Sequence, residues 1–161
     1  MKRKIKIFVA LLTLTVMCIT SNILVKADAS SAYANKAMSI ALNPGEIGDS
    51  NTISFRFNGL PERAVVESVR IDCTNAQRIG NGMGAIAPMS ITITAPGNFT
   101  ETVSWGSGNV TRTDRFNDLF AKGTWQIHMT GRNIAPANAK PNFVGGVKYT
   151  NVKMYIEYHI E

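Results

Sequence analysis

Short runs in which apolar and polar side chains alternate constrain the fold of this chain most. Every second residue is apolar in residues 52–57, and residues 90–94 repeat the pattern. A period of two places one face of an extended strand against a core and the other face in water. The same alternation marks strands at residues 38–42, 65–73, 102–105, 125–130 and 152–160. Strands therefore dominate the predicted fold.

Turn residues separate these runs. In residues 95–98, Pro96 fixes its own φ and Gly97 is free to take a positive φ, which suits a tight turn. Many short strands with frequent turns predict an all-β fold, an antiparallel β-sandwich or jelly roll, in one domain. Helix is expected for one turn at most, at residues 115–120, where Phe116, Leu119 and Phe120 have helical spacing.

The first 27 residues have the three parts of a secretory signal peptide. Four cations stand among residues 2–6, an apolar run covers residues 7–19, and Val25 and Ala27 precede the expected cleavage site. The apolar run is too short for a transmembrane helix, which needs roughly 20 residues. We therefore predict a signal peptide at 1–27, a flexible lead at 28–37 and a β-sandwich domain at 38–161. The mature protein is expected to be secreted, without a membrane span.

Removing the signal peptide changes the charge and the cysteine count. The whole chain has 17 Lys and Arg against 11 Asp and Glu, but five of those cations lie before residue 28, which leaves 12 against 11. Nucleic-acid binding needs a basic surface, so nucleic acid is not an expected partner. Only Cys73 remains after cleavage, so the sandwich must be stable without an internal disulfide. Export without disulfides indicates a bacterial secreted protein.

The residue pattern gives little support for catalysis or for a cofactor. Cys73 lies on the apolar face of its strand, and His128 and His159 each stand alone among strand residues. Zinc sites use three or four closely spaced Cys or His ligands, which this chain lacks. Asp114 and Asp118 are the one pair of carboxylates placed to consider for calcium, and a solvated turn is the preferred interpretation. We predict a protein that is not an enzyme and has no cofactor.

Carbohydrate binding is the more serious functional hypothesis. Sugar sites on β-sandwiches combine an exposed aromatic ring with amide and carboxylate groups. The residues available for such a site are Trp105, Tyr149, Tyr155, Asn133, Asn138 and Asn142. Two long loops are expected at residues 76–88 and 132–146. Their segments 80–87 and 133–144 are the expected binding segments, because loops on a rigid scaffold commonly carry binding sites.

Three stretches resemble the P domain of subtilisin-like proprotein convertases. They are the strand and Pro-Gly turn at residues 89–97, the Gly-Thr-Trp strand that begins at Gly123, and the closing strand at 152–158 after Gly145 and Gly146. The resemblance covers about 110 residues from Asn51 and implies a non-catalytic jelly-roll sandwich that supports or regulates a neighbouring protease. Pro88 and Met89 stand where that family has an Asp-Leu pair, and the family's acidic calcium-loop residues have no counterparts here.

The sequence therefore predicts an exported, non-catalytic β-sandwich that acts as a binding or accessory module outside the cytoplasmic membrane. Its expected partner is a protein or a glycan at the cell exterior. One alternative is a carbohydrate-binding module for cell-wall or host glycans. Another is a structural subunit that self-associates through its sheet edges, with the lead before Met38 as a donor strand.

Overall fold

The fold is seen in a computed structural model that describes residues 27–80, 85–138 and 144–161. The predicted signal peptide, except Ala27, lies outside these residues. The described chain forms strands and a short 3-10 turn at Ser107–Asn109. The strands are β1 (Asp28–Tyr33), β2 (Met38–Leu42), β3 (Ile47–Asp49), β4 (Ile53–Arg56), β5 (Ala64–Asp72), β6 (Ala76–Ile79), β7 (Ile86–Thr94), β8 (Thr100–Ser104), β9 (Val110–Thr113), β10 (Thr124–Asn133), β11 (Gly145–Tyr149) and β12 (Lys153–Ile160).

The strands form three antiparallel sheets. The first sheet has the order β1-β12-β5-β9, the second has β3-β10-β7-β8 with β4 also paired to β10, and the third has β2-β11-β6. The predicted fold class, an all-β antiparallel sandwich, is therefore confirmed. No helix in the described ranges is long and apolar enough to cross a membrane.

One continuous core joins the sheets, and the alternation in sequence sets which side chains enter it. On β12, Met154 and Ile156 are buried, while their neighbours in sequence face outward. Trp125 and Phe116 are fully buried, with ring centroids 5.3 Å apart in an edge-to-face arrangement. The Trp125 indole N–H donates to the Ala121 carbonyl at 2.9 Å, so the one polar atom of this large side chain is satisfied.

The turn at residues 95–98 forms as expected. Gly97 has φ +86°, and the Ala95 amide donates to the Phe99 carbonyl at 2.8 Å to close the β7–β8 hairpin. Residues 115–120, where one helical turn at most was expected, form a turn and no helix. Backbone amides of Asn117 and Leu119 donate three residues back, and Asp118 takes φ +66°, which ends any helical path.

The flexible lead predicted at 28–37 is also corrected by the structure, because Asp28–Tyr33 forms β1 at the edge of the first sheet. It pairs with β12 from Asp28 opposite Tyr158 to Tyr33 opposite Lys153. Its small polar side chains show no apolar alternation, and backbone pairing to the long closing strand makes it a strand. The loops expected at residues 76–88 and 132–146 are also shortened, because β6, β7, β10 and β11 extend into them. Residues 81–84 and 139–143 of those loops lie outside the described chain.

Candidate ligand groove

Three strands of the first sheet bring Tyr33, Lys153 and Asp72 side by side. Tyr33 of β1 lies opposite Lys153 of β12, and Lys153 lies opposite Asp72 of β5. Residues directly opposite each other in antiparallel strands project from the same face of the sheet. The buried neighbours Met154 and Ile71 occupy the other face, so these three side chains stand on the outer face.

The next row across the same face carries a second tyrosine. Tyr155 lies between Ser31 of β1 and Arg70 of β5. The Arg70 guanidinium carbon is 4.0 Å from the Tyr155 ring centroid, and the Lys153 Nζ is 4.7 Å from it. Lys153 Nζ is also 5.1 Å from the Tyr33 ring centroid. These distances lie within the range of cation–π contacts, so the Lys153 ammonium group faces both rings.

These side chains form one wall of an open groove of about 450 Å³ at the end of the first sheet. Loop residues complete it, and its lining is Tyr33, Asp72, Thr74, Asn75, Asn151, Lys153 and Tyr155. The Tyr33 side chain is 64% exposed, whereas Tyr155 is half-buried beneath its cations. The groove therefore presents one accessible aromatic ring beside a carboxylate, an ammonium group and two amides.

Local backbone geometry holds the loop side of the groove. Asp72 Oδ1 accepts a hydrogen bond from the Thr74 amide at 3.0 Å, and the Thr150 amide donates to the Asn75 carbonyl at 3.1 Å. Asn151 takes φ +57°, a left-handed conformation that asparagine tolerates better than most residues. This conformation turns the chain from β11 into β12 and leaves the Asn151 side chain exposed at the groove.

A second depression of about 300 Å³ adjoins the groove. It is lined by Tyr33, Ala34, Lys36, Ala37, Lys148, Thr150 and Asn151, so Tyr33 and Asn151 belong to both. Within the described ranges, neither Lys36 nor Lys148 lies within 4.0 Å of a carboxylate. The two depressions thus meet at the most exposed tyrosine of this surface.

The structure separates the aromatic residues that the sequence predicted for a ligand site. Tyr155 lines the groove. Tyr149 is 2% exposed, and its ring centroid lies 5.5 Å from that of Trp105. The prediction of Tyr149 as a ligand-binding residue is therefore corrected. Trp105 is half-buried, and its indole N–H donates to the Asn109 side-chain oxygen at 3.1 Å, so its polar atom already has a partner.

The predicted asparagines do not converge on the groove either. Asn133 is fully buried, its Nδ2 donates to the Leu42 carbonyl at 2.9 Å, and its Oδ1 accepts from the Ala135 amide. It is therefore a structural residue, which corrects its predicted role in ligand binding. Asn138 is exposed in a turn beyond β10, outside the groove lining, and Asn142 lies outside the described residues.

Tyr33, Lys153 and Asp72 were not among the predicted site residues. Tyr33 was missed because it falls in the segment expected to be a flexible lead. It is nevertheless the single aromatic residue of that segment, and a lone aromatic among small polar residues was the available signal. Lys153 and Asp72 stand on the polar phase of strands that were predicted, but only the strand pairing brings them together.

The groove lining does not include the residues considered above for catalysis or metal binding, which are Cys73, His128, His159, Asp114 and Asp118. Burial, followed by the charge of Asp72, raises the pKa of the Cys73 thiol to about 12, so the thiol is protonated at neutral pH. His159 Nδ1 lies 3.1 Å from Glu67 Oε1 on another part of the first sheet. Asp114 and Asp118 are exposed in the turn after β9. In the part of the chain that the structure describes, no group of three His, Cys, Asp or Glu is placed to hold a metal.

No protein-family model matches this chain, and no curated protein matches it in sequence. Among solved structures, it is similar to the crystal structure of FLHE, with 16% sequence identity and a TM-score of 0.41. That alignment covers 84% of this chain and 100% of the other.

Proposed function

We propose that this chain is an exported, non-catalytic binding module that holds a carbohydrate in the groove at Tyr33. Tyr33 carries the proposal, because a largely exposed tyrosine ring borders a groove that is lined with polar groups. A sugar ring has an apolar face that packs on an aromatic ring and hydroxyls that need hydrogen-bond partners at its rim.

The hydrogen-bonding groups around Tyr33 fit those hydroxyls. Asp72 supplies acceptor oxygens, Lys153 supplies donors, and the Asn75 and Asn151 amides supply both. Within the described ranges, neither Asp72 nor Lys153 is in an ion pair, so both retain capacity for a ligand. The register of β1, β12 and β5 fixes these positions before a ligand arrives, which lowers the entropy lost on binding.

Binding without turnover agrees with the groove lining. Glycoside hydrolysis ordinarily uses two carboxyl groups, one on each side of the scissile bond. Asp72 is the single carboxylate among the residues that line the groove. Export rests on the signal-peptide pattern of residues 1–27, and an accessory role beside a protease, which the P-domain resemblance implies, stays a prediction.

The test uses purified residues 28–161 on a glycan array, followed by calorimetry with the strongest ligand. Tyr33→Ala should lower the affinity at least about tenfold, because ring stacking is a main source of binding energy in such sites. Phe120→Ala is the matched control, since Phe120 is 63% exposed and lies outside the groove.

Thermal unfolding of both variants would verify that the fold is intact. Absence of any glycan ligand for the wild-type protein would contradict the proposal. Equal affinities of the wild-type protein and Tyr33→Ala would contradict it as well.

A further inference from the structure

The two depressions beside Tyr33 carry an excess of positive charge. Lys153 lines the groove, Lys36 and Lys148 line the second depression, and Asp72 is the single carboxylate in either lining. The local net charge is therefore +2, whereas the segment from residue 28 onward is nearly neutral overall, with 12 cations against 11 anions. Two positive charges near Tyr33 therefore have no counterpart in these linings, and a ligand or salt ions would have to balance them.

These lysines form no ion pair within the described residues. In the described ranges, none of the three lies within 4.0 Å of a carboxylate, and the Lys153 ammonium contacts tyrosine rings instead. Elsewhere on this face a cation does pair with an acid, since Arg112 of β9 reaches Glu157 of β12 across β5 at 3.4 Å. The lysines near Tyr33 depart from that arrangement.

The charges are also distributed unevenly along the surface. The groove holds a cation and an anion beside the tyrosines, whereas the second depression holds two cations and no acid in its lining. Tyr33 and Asn151 belong to both, so one ligand can occupy both depressions by passing over the Tyr33 ring. Each volume lies near the lower end of that of a small-molecule pocket, so the pair fits a chain of sugar rings better than a single ring.

We infer that the ligand is an acidic polysaccharide. This inference rests on the proposed function of the groove and adds the ligand's chemical class and its direction of binding. A sugar ring stacks on Tyr33, and its hydroxyl groups donate hydrogen bonds to the Asp72 carboxylate. An acidic group on the next sugar lies over Lys36 and Lys148. In the reverse direction the acidic group would enter the groove, where the charge of Asp72 offsets that of Lys153, whereas the lining of the second depression has two lysines and no acid.

The experiment is a glycan array with neutral and acidic members on matched backbones, followed by calorimetry on the best matched pair at low and high salt. Carboxylated and sulfated members are both included, so that the array identifies the acidic group. We expect the acidic member to bind about tenfold more tightly at low salt, with the difference shrinking as salt screens the exposed charges.

The double variant Lys36→Gln/Lys148→Gln should lose this preference and keep the affinity for the neutral member. Lys122→Gln is the matched control, because Lys122 is in an ion pair with Glu62, just before β5 begins, whereas the groove lies where β5 ends. That variant should bind as the wild-type protein does.

The outcomes separate the inference from the proposed function. Equal binding of neutral and acidic members that is lost in Tyr33→Ala would overturn the acidic ligand and leave the carbohydrate groove standing. A preference for acidic members that survives in the double lysine variant would also overturn the inference, because the charge would then be recognised elsewhere. Absence of binding to every member would overturn both.

Discussion

At the scale of single residues, Cys73 and Tyr149 link protonation to stability. Burial, followed by the charge of Asp72, raises the pKa of Cys73 to about 12, and burial, followed by Cys73, raises that of Tyr149 to about 12. The ordinary pKa values of these two groups are 9.0 and 10.0, so between those values and about 12 the unfolded chain loses protons that the folded chain keeps. The stability contributed by these neutral groups is complete below pH 9 and is lost as the pH rises toward 12.

We therefore expect the free energy of unfolding to fall from pH 9 upward, by about 1.4 kcal/mol per pH unit for each group that titrates only in the unfolded state. Urea unfolding at pH 8, 9.5 and 10.5 measures the slope. Tyr149→Phe and Cys73→Ala should each reduce the slope, whatever their effect on stability at pH 8. A slope unchanged in both variants would show that other groups control the alkaline transition.

The same burial should protect the Cys73 thiol from reagents. Thiolate is the reactive species, and at pH 8 a thiol with a pKa near 12 is almost entirely protonated. We expect no labelling of folded residues 28–161 by iodoacetamide at pH 8 within an hour, and complete labelling in denaturant, as mass spectrometry would record. Rapid labelling of the folded protein would mean that Cys73 is accessible.

At the scale of strands, the sequence predicted those in which apolar and polar residues alternate. The alternation located β2, β4, β5, β7, β8, β10 and β12. The missed strands β1, β3, β6, β9 and β11 lack a sustained alternation of large apolar and polar side chains, and backbone pairing with distant strands stabilises them. Such pairing leaves little trace in local sequence.

The candidate site was less predictable than the fold for the same reason. Tyr155 could be placed on the polar face of β12 from the alternation alone, but Tyr33 needed the pairing of β1. Asn133 continues the inward phase of Ile127 and Met129 on β10. The strand period therefore predicts its burial if the strand predicted at residues 125–130 is continued to residue 133. Its polar character favoured a surface loop instead.

Strand β1 is expected to protect the backbone hydrogen-bonding groups of β12 from pairing with other chains. Deleting residues 28–33 would expose the backbone of β12, and an unpaired edge strand recruits other strands. We expect the truncated protein to unfold at a lower temperature and to associate in size-exclusion chromatography. A peptide of residues 28–34 should restore the monomer, and the same peptide with Ser31→Pro should not, because proline lacks the amide hydrogen.

An unchanged, monomeric truncated protein would contradict this role of β1. The same chromatography addresses assembly through sheet edges. Association of the intact chain at high concentration would favour the structural-subunit hypothesis, in which β1 pairs with β12 of another copy.

At the scale of the whole molecule, stability depends on the core that the sheets share. Phe116 is fully buried, and its ring lies edge-on to Trp125 at 5.3 Å and to Phe99 at 5.7 Å. Phe116→Ala should lower the free energy of unfolding by about 3–5 kcal/mol, since it removes the ring and leaves a cavity. Phe120→Ala, at an exposed position, should stay within about 0.5 kcal/mol of the wild-type protein in urea unfolding. Similar losses in both variants would contradict the central place of Phe116.

The pairing of β1 with β12 has a mechanical consequence. These strands are the first and last in the described chain, and because they are antiparallel, Asp28 lies beside Tyr158 at the end of the sheet opposite the Tyr33 groove. A pulling force applied at residues 28 and 160 would load the cross-strand hydrogen bonds one after another, as in opening a zipper, and not all at once. Strand β1 would peel away at low force, and Tyr33, the last residue of that strand to detach, would leave the groove as peeling ends.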